Sequence, residues 1–372
     1  MSQGTEDPGA RAPSPIPGIL KAVYFLLLLY LFFFSIDLMS AAFKMAGRGF
    51  AEQLVATASD PLAGLLIGFL ATSLIQSSST TTTIVVGLVA SGAVSISVAI
   101  PIVMGANIGT TVTNTIVSMG HVTRSHEFER AFAAATVHDF FNVLAATTLL
   151  PLEVLFHPIE RTAVFVESIF EGAGGLKLAS PLKLMVEPLA NLVTGAVPHQ
   201  IPLLIIALVL LFFALSQMMR IMRGAVLERL EGLFSRVLFR NDAASFSLGL
   251  VATATVQSSS ATTSLIVPLA GTGVLSLRQI YPYTLGANVG TTVTAILASL
   301  STGNPAAVTV ALAHLTFNFM GIAIFYPLKA LPIWMATKAG AIAGSSRRNS
   351  ALAILVYLLL LIIPVTYVLT RR

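Results

Sequence analysis

Apolar runs of roughly twenty residues, long enough to cross a bilayer as helices, recur along this chain of 372 residues. They cover Leu20 to Phe43, Ala93 to Met119, Ala131 to Phe156, Ile201 to Met219, Val274 to Leu300, Ala306 to Leu328 and Ala351 to Thr370, which predicts seven spans. Two further uncharged stretches, Pro61 to Ser91 and Ala243 to Thr272, are interrupted midway by a polar cluster. Their arms of roughly a dozen residues are too short to span. Each therefore predicts a re-entrant hairpin whose polar tip is sheltered by protein or by a water-filled cavity.

The two hairpins belong to a repeat. Gly68 to Thr113 aligns without a gap on the segment 181 residues further along, Gly249 to Thr294, with about half the positions identical. Gln76-Ser77-Ser78-Ser79 matches Gln257-Ser258-Ser259-Ser260, and Gly105-Ala106-Asn107-Ile108-Gly109-Thr110-Thr111 matches Gly286-Ala287-Asn288-Val289-Gly290-Thr291-Thr292. Further on, His138-x-x-Phe141-Asn142 is echoed by His314-x-x-Phe317-Asn318. Three full spans separate equivalent points, and an odd number turns the second copy upside down in the membrane. The expected architecture is an all-α polytopic membrane protein built as an inverted repeat. Its expected parts are a disordered tail over 1–18, a first repeat over 19–156 with its hairpin at 61–91, and an external connection over 157–200. A second repeat over 201–330 with its hairpin at 243–272 follows, then a loop and a C-terminal span over 331–372.

Composition sharpens this picture. Charged residues make up 10% of the chain, too few for a soluble enzyme, and none occurs from Pro61 to Gly120 or from Gln279 to Leu328. The formal net charge of +5 comes from Lys and Arg between apolar blocks, with no basic arm, so no nucleic-acid partner is expected. With the N-terminus in the cytoplasm, 14 basic residues fall inside and 7 outside, which favours that orientation in the inner or plasma membrane. Arg220 to Arg240 reads as an amphipathic helix on lipid headgroups, and Trp334 as an interfacial anchor. The chain has no Cys, hence no thiolate metal site or Cys nucleophile.

An unsatisfied polar group at membrane depth costs several kcal/mol, so the duplicated clusters need a reason. Hydroxyls and freed carbonyls replace the hydration shell of a small cation, while hydroxyl donors and half-helix N-termini bind an oxyanion. Two glycines flanking Asn within a span suggest a broken helix, although close helix packing through small residues gives the same pattern. Asp139 is the carboxylate deepest in a span and a cation-site candidate, or else a structural group held by neighbouring hydroxyls. His138 and His314 fit hydrogen-bonded packing roles.

In these motifs, together with Ala131 to Asp139 and Tyr281-Pro-Tyr-Thr-Leu-Gly-Ala-Asn288, the chain resembles the type II sodium-phosphate cotransporters. The resemblance implies symport of inorganic phosphate with sodium, and no cofactor beyond the co-transported ion. It places phosphate at Gln76, Ser77, Ser78, Ser79, Gln257, Ser258, Ser259 and Ser260, completed by Asn107 and Asn288. It places sodium beside Thr80, Thr81, Thr82, Thr110, Thr111, Thr262, Thr263, Thr291 and Thr292. Electrogenic members carry Asp after the motif His, so Asp139 implies an electrogenic transporter with an extra sodium site. The animal members' long glycosylated external loop and further C-terminal span are missing, which suggests a short bacterial-type member. Membrane lipid is the expected surrounding, and association into a homo-oligomer is left open. A sodium symporter for another small anion, an intramembrane serine hydrolase, and a scaffold or channel are the alternatives. A duplicated Ser triplet with no base nearby argues against the hydrolase.

Overall fold

The computed structural model describes residues 18–58, 60–237 and 241–360, with 362, 366 and 367 beyond. The tail over 1–17, most of 361–372 and the side chains of 223–240 lie outside the described residues, so the expectations placed there go no further. Every element among the described residues is helical. Helix α1 (Gly18–Ala58) bends at Gly47, whose φ of 77° needs a glycine. It is followed by α2 (Pro61–Ile75), α3 (Ser78–Ser91), α4 (Ile96–Gly109), α5 (Val112–Ser118), α6 (Ser125–Phe156), α7 (Pro158–Gly172) and α8 (Gly175–Ala196). The rest of the chain forms α9 (Gln200–Val237), α10 (Asp242–Val256), α11 (Ser259–Ser264), α12 (Ile266–Gly271), α13 (Leu277–Thr302), α14 (Pro305–Phe325), α15 (Ala330–Gly344) and α16 (Arg347–Leu360).

Among the described residues, five helical stretches are long and apolar enough to cross a membrane: Ile19–Gly47, Ile96–His121, Ser125–Phe156, Gln200–Met222 and Pro305–Phe325. The sequence pattern suggests seven. The difference at α13 is polarity, because this helix of 26 residues carries a run of Thr, Asn and Ser. The segment after residue 330, expected as a loop, begins with the helix α15, which packs on α6 through Gly340. A Cβ there would meet the Glu129 carbonyl oxygen at 2.4 Å. The connection over 157–200 is made of α7 and α8.

Close backbone approach organises the two copies in the same way. In the first, α2 lies on α4 so tightly that a Cβ on Gly68 would sit 1.8 Å from the Ile102 carbonyl oxygen, and one on Gly105 would sit 1.8 Å from that of Leu65. In the second, α10 lies on α13, where Gly249 and Gly286 would meet the carbonyl oxygens of Tyr283 and Phe246 at 2.1 and 1.9 Å. Small residues here drive helix packing, as is common where lipid gives no hydrophobic gain for association.

The broken-helix expectation holds in one copy only. Helix α4 ends at Gly109 and α5 resumes at Val112, with tightened bonds from Thr110 N to Asn107 O and Thr111 N to Ile108 O. Helix α13 runs unbroken through the matching residues, a correction to the symmetric expectation. The second hairpin breaks elsewhere. Its return arm divides between Ser264 and Ile266, because Pro268 has no N–H for the Ser264 carbonyl and crowds it.

Outside the hairpins, α1 packs along α9 and α8 over a core that includes Phe32, Ile36, Met39, Leu203 and Leu211. A second core, with Met104, Phe141, Tyr281 and Phe317, joins helices of both copies. Each hairpin's exit is held by the other copy: Asn304 Nδ2 donates to the Ala90 carbonyl at 3.0 Å, and Arg130 Nε to the Gly271 carbonyl at 2.9 Å.

Candidate functional site

Each hairpin tip is one local design used twice. Gln76 and Gln257 end α2 and α10 in the left-handed conformation, at φ 59° and 60°, a region uncommon for residues other than glycine, Asn and Asp. The next serine turns extended and caps the following helix. Ser77 Oγ accepts from Thr80 N and Ser258 Oγ from Ala261 N, each at 3.2 Å. The glutamine side chain folds back, donating to Ser73 O in one copy and to Ala254 O in the other. Its Oε1 accepts from Thr113 at 2.7 Å and from Thr294 at 2.6 Å, respectively. Those two threonines lie in the duplicated segment, but no sequence argument had singled them out.

The tips touch. Ser79 Oγ donates to the Gln257 carbonyl at 3.3 Å, and Ser260 Oγ to the Thr110 carbonyl at 3.1 Å. The second bond shows why the α4–α5 break matters, since a carbonyl beside an interrupted helix is free to accept from a neighbour. Thr263 Oγ1 adds a bond to Asn114 Oδ1 at 3.0 Å. Access is unequal, for Gln76 is exposed and Gln257 is buried.

The hydroxyls divide by what their protons do. Thr81 and Thr82 donate to Ser77 O and Ser78 O, Thr262 to Ser259 O, and Thr263 shares its proton between Ser259 O and Asn114 Oδ1. Thr110, Thr111, Thr291 and Thr292 donate back to Ala106 O, Ile108 O, Ala287 O and Val289 O. Thr80 donates to Ser77 Oγ. A hydroxyl whose proton is engaged offers only lone pairs, the chemistry a cation needs. Ser77 and Ser258 instead accept at their oxygens and keep a proton to donate, beside first-turn amides that have no partner within their own helix. No Lys or Arg stands in either hairpin.

Asn107 and Asn288 are not at the tips' disposal. Both are buried in a closed ring that crosses between the copies. Asn107 Nδ2 donates to Asn318 Oδ1 at 2.6 Å, and Asn288 Nδ2 to Asn142 Oδ1 at 2.7 Å. Asn142 and Asn318 pass the bond on to the backbone carbonyls of Asn107 and Asn288. His138 Nε2 meets Asn288 Oδ1 at 2.6 Å, and His314 Nε2 meets Asn107 Oδ1 at 3.0 Å. Since those amide oxygens only accept, both histidines carry the proton on Nε2 and leave Nδ1 as a buried acceptor without a protein partner. The repeated His-x-x-Phe-Asn motif is the signal in the sequence that points to this ring.

Asp139 lies one residue beyond the ring, where Thr115 Oγ1 donates to its Oδ2 at 3.4 Å and Thr111 is a second hydrogen-bond neighbour. The cation candidates thus form two groups, one at the tips and one around Asp139.

Fold and site together define an all-helical, multi-pass membrane protein with a buried polar centre of amides and hydroxyls. Comparison with known sequences carries this a step further. The sequence model of the Na+/Pi-cotransporter family matches residues 31–165 and 210–359. The chain is 34% identical to the rat sodium-dependent phosphate transport protein 2A over 92% of its length and 67% of the relative's. To human sodium-dependent phosphate transport protein 2B it is 32% identical, over 94% of this chain and 65% of that protein. No solved structure matches it significantly. The chain belongs to the Na+/Pi-cotransporter family and spans about two thirds of the length of these relatives.

Proposed function

We propose that this protein is a symporter that carries inorganic phosphate across the membrane with sodium, using the two hairpin tips as its binding site. The observation that carries the reading is the contact of the tips, Ser79 with the Gln257 carbonyl, beside the bond of Ser260 to the Thr110 carbonyl at the α4–α5 break, in a region without cationic side chains. An anion held there must be balanced by dipoles, hydroxyl donors and co-bound cations. Ser77, Ser78, Ser258 and Ser259, with the first-turn amides of α3 and α11, are the phosphate donors. Ser79, Ser260, the flanking threonines and the freed Thr110 carbonyl are oxygens for sodium. Asn107 and Asn288 frame the site and do not contact phosphate.

Asp139 adds a further sodium site, which makes each phosphate carry net charge. The ring holds both hairpins as one body. Alternating access then moves that body against the frame of α1, α8 and α9, with the open Gln76 and the closed Gln257 marking one end of the cycle. The N-terminus is cytoplasmic in the plasma or inner membrane, as the basic residues favour.

Radiolabelled phosphate uptake into proteoliposomes under an inward sodium gradient tests this. Wild type accumulates phosphate only with sodium, and Gln76→Ala and Gln257→Ala each lose at least about ten-fold in rate, one decade being about 1.4 kcal/mol. Sodium-independent uptake, or none, by the wild type overturns the reading.

A further inference from the structure

The two copies part company around one group. Asn114, Thr115 and Asp139 of the first stand where the second has Ala295, Ile296 and Leu315, so a polar cluster in one copy is apolar in the other. Asp139 of that cluster faces a cavity of about 730 Å³ between α2, α4 and α6 on one side and α15 and α16 on the other. Its walls are mostly aliphatic and aromatic, including Leu65, Phe132, Phe140 and Met335. Thr111 and Asp139 enter it from the protein side, and Tyr357 from α16 lines it opposite them.

Tyr357 lies beyond the aligned repeat segments, in α16. It lines the same cavity as Thr111 and Asp139, near enough to Thr111, Thr115 and the carboxylate to interact with them electrostatically. A phenol in apolar surroundings needs a polar partner for its O–H. This one finds it in the polar group that distinguishes the first copy. A carboxylate at membrane depth in turn needs a cation, and a cation there needs several oxygens around it.

We infer that Tyr357 supplies the fourth oxygen of a sodium site formed with Asp139, Thr111 and Thr115, and that α16 is the far wall of the cavity into which this site opens. The inference rests on the sodium role given to Asp139 above; the part played by Tyr357 and α16 is its own content. The helix that follows the repeats thereby becomes part of the coupling machinery.

The test uses the full chain in proteoliposomes as wild type, Tyr357→Phe, Asp139→Asn and the double variant. The phenylalanine keeps the ring and removes only the oxygen. Tyr357→Phe is expected to raise the half-saturating sodium concentration about five- to ten-fold, the scale of one ordinary hydrogen bond. The half-saturating phosphate concentration at saturating sodium stays within about two-fold, since the tips are untouched. Melting in detergent without sodium is unchanged, while the rise in Tm produced by added sodium shrinks. In the Asp139→Asn background the Tyr357→Phe change adds nothing further. Wild-type sodium dependence in Tyr357→Phe, beside an altered dependence in Asp139→Asn, overturns the inference and leaves the Asp139 assignment standing. Wild-type dependence in both variants overturns the two together.

Discussion

At the scale of single residues, the direction of a hydroxyl proton decides what the residue can bind. Ser77 and Ser79 are neighbours in one triplet, yet Ser77 keeps its proton free while Ser79 gives its own to the Gln257 carbonyl. Ser77→Ala should therefore weaken phosphate, raising its half-saturating concentration about ten-fold, and Ser79→Ala should act mainly on sodium. Uptake measured along both concentration axes separates them, and identical shifts in both variants would refute the division. The ring gives a second expectation. Asn288→Ala leaves His138 Nε2 and Asn142 Oδ1 buried without partners, a loss of about 2–4 kcal/mol that lowers Tm in detergent, whereas Thr255→Ala on an exposed face should not. The triplets and the asparagines were visible as a duplicated pattern, but proton direction was not. It depends on which carbonyl of a distant helix lies within reach, and sequence spacing does not contain that.

At the scale of elements, a glycine pattern that suggested helix breaks turned out mainly to bring helices together. Gly286→Ala places a methyl group 1.9 Å from the Phe246 carbonyl oxygen, which forces α10 and α13 apart. The expected result is loss of folded, monodisperse protein, while Gly120→Ala, with open space around it, is tolerated. The break itself is real at Thr110 and Thr111 and absent from α13, and the nearly identical segments gave no warning. The separate break in the second hairpin's return arm follows from Pro268. The start of that hairpin is also tied electrostatically, since Lys329 and Tyr326 both bond Asp242. The hydrogen bond from Lys329 holds the Asp242 carboxyl below its ordinary value of 3.8, and the same contact raises Lys329. A depressed carboxylate contributes stability above its unfolded pKa and loses it as pH falls through the folded value. Asp242→Asn should thus cost up to about 1 kcal/mol at pH 7, because both groups are partly exposed, and less at pH 2. Melting curves at the two pH values check this, and equal losses at both would refute the pairing.

At the scale of the whole molecule, the copies are interlocked more than they are joined. Four of the ring's bonds cross from one copy to the other, and each hairpin exit is held by a residue of the opposite copy. Cutting the chain between α8 and α9 should therefore give two pieces that co-purify when expressed together, with Asn107→Ala weakening recovery. The repeat announced this architecture in the sequence. The packing of α7, α8 and α15 was harder to read, because short amphipathic or mildly apolar segments look alike until a partner surface is known.

That interlocking says something about how such a molecule arose. The asparagines and the histidine of one copy bond partners supplied by the other. On the inverted reading, an ancestral half would have entered the membrane in both orientations and met itself as a mixed pair, which requires a nearly even spread of positive charge across its two ends. Fusion of two such halves into one gene would remove that requirement and let each drift toward a single, opposite orientation. Asp139 and Thr115, set against Leu315 and Ile296, mark where the freed halves ceased to be copies.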